Sequence, residues 1–226
     1  MALSPAARRS LWLTAFAAAM GVLEAAVVVY LRELYYPGGF RFPIERMPER
    51  VALVEIAREA ATVVMLLSVA ALARRRGLDG FFVFAYLFGV WDLVYYAGLR
   101  GILGWPESLG TWDILFLIPV PWLSPVLYPV VVSLLLVAGY VAHEITEARG
   151  RSIAPSRLGW LVSAVGALGI VTAFCWRFRD VLEGRVPERF PSALFWASLA
   201  AAAAPFVLSA VAGLRAPRAR DDVAPR

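Results

Sequence analysis

Apolar residues run through this chain in six long blocks, at 11–31, 51–73, 81–99, 124–142, 158–176 and 191–214, with short arginine-bearing stretches between them. About 20 helical residues cross a hydrocarbon layer of about 30 Å, and each block reaches roughly that length. The pattern predicts an all-α, multi-pass transmembrane helical bundle of about six spans. A single integral membrane domain over 1–216 and a short disordered tail over 217–226 complete the expected organisation. One apolar stretch does not fit: 105–123, WPESLGTWDILFLIPVPWL, contains Pro106, Pro119 and Pro121, with Pro125 just beyond. Proline removes a backbone donor and clashes with the preceding turn, so this cannot be one straight helix. We expect a short Pro-flanked helix at 107–118 between spans three and four, lying in the interface or re-entrant. Non-helical backbone at that depth requires cover from protein or a water-filled cavity.

The polar positions inside the blocks carry the candidate chemistry. Glu24 falls in the first span, Glu55, Arg58 and Glu59 in the second, and Asp92 in the third, with Asp113 in the proline-flanked stretch. At a rise of 1.5 Å per residue, Glu24 lies about 10 Å, Glu55 and Glu59 about 6 and 12 Å, and Asp92 about 10 Å from the same outer boundary. They form one layer, which Asp113 joins if its segment dips inward. Glu55, Arg58, Glu59 and Thr62 follow i, i+3, i+4, i+7 spacing and share a helix face. A charge at mid-membrane costs about 2.5–3.5 kcal/mol even on lenient scales, so this face is expected to look into the bundle. Arg58 can neutralise one carboxylate, which leaves acid in surplus. Trp91, Asp92, Tyr95 and Tyr96 cluster on the third span, placing two phenol hydroxyls one turn from the aspartate. Tyr95 and Trp112 are expected to line the approach.

Composition narrows the chemistry. One cysteine, Cys175, and one histidine, His143, argue against disulfide frameworks, haem and zinc. The intramembrane CAAX-type proteases need histidines in the membrane layer, which this chain lacks there, and no aspartate-rich run suits a CDP-alcohol transferase or UbiA-type prenyltransferase. His143, at the end of the fourth span, reads as an interfacial cap, and Cys175 as a small apolar residue. The formal net charge of +5 comes from 22 arginines and no lysine. They cluster at block ends, as topology determinants do, so the basic balance points to lipid headgroups and not to nucleic acid.

Twelve arginines and five acids fall on the side of the termini, against nine and seven on the other. The imbalance predicts a bacterial-type inner membrane protein with both termini cytoplasmic and the acidic layer facing outward. The Arg8-Arg9 start reads as the flank of an uncleaved first span. Ala17, Gly21 and Ala25, and Gly169 with Ala173, mark close helix contacts. Pro205 is expected to kink the last span. Spans five and six carry no ionisable group at depth and are expected to provide packing or a surface for a homo-oligomer or membrane complex.

Three readings of the layer stay open. It binds or transports a cation, proton or small polar solute at Glu24, Glu55, Glu59, Asp92 and Asp113, with Arg58, Tyr95, Tyr96, Trp91 and Trp112 tuning or lining. Alternatively, the chain is a membrane enzyme whose carboxylates act as acid and base or hold Mg²⁺, Mn²⁺ or Ca²⁺, with Glu24, Glu55, Glu59 and Asp92 as ligands. As a third possibility, the acids only fix helix positions, or serve an accessory subunit. A transporter needs a second polar route to the terminal side. Ser68 on the second span is the sole polar stepping stone in view, which leans towards a blind pocket.

Overall fold

The computed structural model describes residues 4–36, 38–40, 48–185 and 187–215, so the tail expected at 217–226 lies outside the described residues. Six long helices are present, each long and apolar enough to cross a membrane. They are α1 (Pro5–Tyr35), α2 (Glu49–Ala73), α3 (Asp79–Leu103), α4 (Leu127–Glu147), α5 (Arg157–Cys175) and, after the short α6 (Phe178–Leu182), α7 (Ser192–Arg215). Local signals set their ends. Ser4 caps α1 by accepting from Ala7 N at 3.2 Å, with Pro5 just inside. Ser156 accepts from Gly159 N to begin α5. Gly104, at φ 66°, closes α3 in the left-handed conformation that a side chain resists. Pro205 lies inside α7 without ending it.

Helix α3 is the hub, packing against α1, α2 and α4, while α5 and α7 form a pair joined to the rest through α4 and α7. Small residues allow these approaches. A Cβ on Gly21 would stand 2.6 Å from Trp91 O, and one on Gly89 would stand 2.6 Å from Ser133 O. These positions bring α1 and α4 to backbone contact with α3, the α1 seam being the small-residue repeat read from the sequence. Helix α2 buries a single stripe, Glu55, Glu59, Thr62, Leu66 and Ala70, and leaves apolar residues such as Val54 and Leu67 exposed.

The segment between α3 and α4 corrects the helix expected at 107–118. It is an antiparallel hairpin of β1 (Trp112–Ile114) and β2 (Leu123–Pro125), pairing Asp113 with Ser124. Pro106 and Pro119 only flank 107–118 and do not forbid a helix there. Gly110 weakens a helix, and the run TWDILFLI at 111–118 is rich in strand-favouring residues, so a hairpin that closes its hydrogen bonds between its own arms forms instead. Leu115 N donates to Trp122 O and Trp122 N to Phe116 O, while Val126 N and Leu127 N reach back to Thr111 O and Leu109 O. The tip penetrates the bundle. The Phe116 ring lies 6.2 Å from both Phe88 and Trp91, near the midpoint of α3, and Trp122 stacks on Phe174 of α5.

Candidate functional site

The five acids of the predicted layer are each under a tenth exposed, and the structure distributes them over two neighbouring groups. In the first, Arg58 sits between Glu24 and Glu55. Its Nη2 lies 2.7 Å from Glu55 Oε2 and its Nη1 pairs with Glu24 Oε1. Thr62 Oγ1, one turn further along α2, donates to Glu24 Oε2 at 3.4 Å. Glu59 shares the face but turns to the hairpin, where both carboxylate oxygens accept from Leu117 N at 2.8 and 3.1 Å. An unpaired amide inside the bundle is costly, so Glu59 holds the tip in place.

In the second group, Asp92 accepts from Ser133 Oγ of α4 at 2.7 Å. Asp113, brought inward by the hairpin, accepts from Tyr96 Oη at 3.1 Å and faces Arg32 Nη2 at 3.4 Å. Arg32 is itself held between Trp105 and Phe40, its Cζ 3.5 and 4.4 Å from their ring centroids. Burial pushes the Asp113 carboxyl up to about 6, against the opposing pull of Arg32 and Tyr96. Tyr95 stands between the groups, within the fields of Asp113, Arg32, Asp92 and Arg58, its ring 5.0 Å from that of Tyr96. Trp91 is buried at the floor with Nε1 unpartnered. Trp112 takes the other side of β1 from Asp113, as strand alternation requires, and packs on Phe190 at 6.4 Å, away from the carboxylates.

Two partners of this layer were not singled out in the sequence. Arg32 lies just past the first apolar block, among the nine arginines counted on the far side, although Glu24, Val28 and Arg32 recur every four residues on one face. Ser133 carries no local motif, and only the contact of α4 with α3 reveals it.

A second polar cluster lies at the terminal end. Asp79, the first residue of α3, meets Arg9 Nη2 at 2.6 Å, Arg75 Nη2 at 2.8 Å and His143 Nε2 at 3.3 Å. Arg9 and Arg75 both also pair with Glu144. The hydrogen bond to Asp79 holds the Arg75 guanidinium above its ordinary range. His143 is buried and stacks on Phe82 with ring centroids 4.3 Å apart, which replaces the interfacial cap expected for it. Among the described residues, Asp79, His143 and Glu144 form the group of three whose ligand atoms lie within 4.8 Å of one another. Two guanidiniums already neutralise its carboxylates.

No protein-family model, curated protein or solved structure matches the chain. The site therefore stands on its own geometry.

Between the two clusters run hydroxyls the sequence reading did not connect. Ser10 bonds Tyr140 at 2.9 Å and Thr14 bonds Tyr86 at 2.6 Å, with the two tyrosine rings stacked. Ser68, the expected stepping stone, is exposed and bonds Val64 O of its own helix. The ladder stops at Tyr86, about 9 Å along α3 from Asp92. Ala17, Leu87 and Trp91 fill that interval, all buried.

Proposed function

We propose that this chain is a membrane-embedded binding protein whose acidic layer takes up a proton or a hard cation from the face opposite its termini. The orientation is that of a bacterial-type inner membrane protein with cytoplasmic ends. One observation carries the reading: five buried carboxylates, Glu24, Glu55, Glu59, Asp92 and Asp113, are opposed by two guanidiniums, Arg58 and Arg32. Ionised acids in that excess repel one another at low dielectric, and the surplus is relieved by protons or by a cation that prefers oxygen donors. Tyr95 supplies a hydroxyl between the two groups, and the hairpin tip, re-entrant in this reading, covers them.

Calorimetric titration of the purified chain with Mg²⁺, Mn²⁺ and Ca²⁺, together with proton uptake measured by a pH indicator, tests the proposal. The wild type is expected to bind one of these cations or to take up protons near neutral pH. Glu59→Gln and Asp92→Asn should each weaken that uptake at least tenfold with helix content intact. Unchanged uptake in both variants would leave the acids a purely structural role.

A second reading has support of its own. The packed interval at Ala17, Leu87 and Trp91 closes the layer off from the terminal side, which suits a blind catalytic pocket better than a through-route. In that reading the same carboxylates act as acid and base or hold the cation. Reconstituted vesicles separate the two: a transporter moves the bound ion into the lumen, and a catalyst does not.

A further inference from the structure

A cavity of about 380 Å³ opens beside the far end of α3, between it, the start of α4 and the loop leading to the hairpin. Its lining changes character along its length. Leu93, Ala97 and Val130 form one end, and Arg100, Glu107 and Ser108 the other. Arg100 lies about 10 Å further along α3 than Leu93, close to the helix end, so the apolar part is the deeper and the charged part is at the rim. Arg100 Nη1 donates to Pro106 O at 2.8 Å and to Gly104 O. These bonds fix the guanidinium at the rim and leave its other donors without a protein partner among the described residues. Glu107 is exposed and makes no hydrogen bond or ion pair with a described residue. The two opposite charges share one cavity without closing on each other.

We propose that this cavity binds a phospholipid with a zwitterionic, primary-ammonium headgroup of the phosphatidylethanolamine type. Arg100 takes the phosphate, for which a guanidinium fork is suited. Glu107 takes the ammonium, and one acyl chain lies along Ala97, Leu93 and Val130. An anionic headgroup would meet Glu107 with repulsion, and inorganic phosphate would leave the apolar floor without an occupant. The site depends on the six helices lying in a bilayer. It adjoins the acidic layer at Tyr96, which lines the cavity and donates to Asp113, but neither Glu59 nor Asp92 lines it.

The test is lipid retention by the full chain, purified in detergent and exchanged against vesicles of phosphatidylethanolamine, phosphatidylglycerol or phosphatidylcholine, then read by native mass spectrometry. Wild type should retain phosphatidylethanolamine at least tenfold over phosphatidylglycerol. Glu107→Gln should abolish that preference, Arg100→Gln should lower retention of all three, and Ala97→Trp, which fills the apolar end, should do the same without touching a charge. Arg100 also braces the loop, so if Arg100→Gln fails to fold, the other two variants decide. Unchanged phosphatidylethanolamine retention in both Glu107→Gln and Ala97→Trp overturns the proposal, as does displacement of the lipid by millimolar inorganic phosphate.

Discussion

Arg58 holds two carboxylates from different helices, so its removal leaves Glu24 and Glu55 facing each other with no counter-charge. Arg58→Gln should cost about 3 kcal/mol, the usual penalty for orphaning a buried ionic partner, read as lowered thermal stability in micelles. Adding Glu24→Gln and Glu55→Gln should recover most of the loss. Asp113 gives a pH signature. Its folded pKa of about 6 lies above the unfolded value of about 3.9, so between those values the folded chain holds the proton more tightly. Its contribution therefore makes stability fall as pH rises from about 4 to about 6, with the full cost present above that window. Asp113→Asn should remove this part of the slope in a series of melting curves against pH. The acids were legible as a set because charges inside apolar blocks stand out. Their partners were not: Arg32, Ser133 and the Leu117 amide gain meaning only through contacts 81, 41 and 58 residues away in sequence.

The hairpin separates the structural and electrostatic parts of Glu59. Glu59→Gln retains a carbonyl oxygen for Leu117 N, whereas Glu59→Ala retains none and leaves the amide unpaired at a cost of about 1–3 kcal/mol. Hydrogen exchange over 112–125 should accelerate in Glu59→Ala and stay near wild type in Glu59→Gln. The helix seams are less forgiving. Gly89→Leu has no space beside Ser133 O and should cost more than 1 kcal/mol in thermal stability through overpacking. The six helices could be read directly because hydropathy over 20 residues is a strong signal, and the Ala17, Gly21 and Ala25 seam followed from its spacing. The hairpin could not. Its strands are three residues each, too short for a two-residue period to declare itself, and its apolar run imitates a helix.

Across the whole molecule, parallel α1 and α3 and antiparallel α4 lay the polar groups out along the helix axes. The acidic layer lies in one half of the bundle and the Asp79 cluster at the opposite end, with a packed interval at Ala17, Leu87 and Trp91 between them. The proposed orientation predicts that Glu183→Cys, in a Cys175→Ala background, is labelled by an impermeant maleimide in intact cells, and that Ser4→Cys is labelled only after lysis. The reverse pattern would invert the site. The terminal-side cluster shows why a loop-by-loop charge count falls short, since Arg9 near the start of α1, Arg75 and Asp79 at the α2–α3 junction, and His143 and Glu144 near the end of α4 are three separate stretches that meet only in the folded bundle. The bond from Leu117 to Glu59 has a further consequence. A backbone N–H binds a carboxylate more strongly than a neutral acid, so any proton or cation arriving at Glu59 competes with the hairpin for the same two oxygens. Filling that position weakens the fastening of the tip without releasing it, since a protonated Glu59, like Glu59→Gln, keeps a carbonyl oxygen for Leu117 N, and a change at α2 is felt by the loop that carries Asp113.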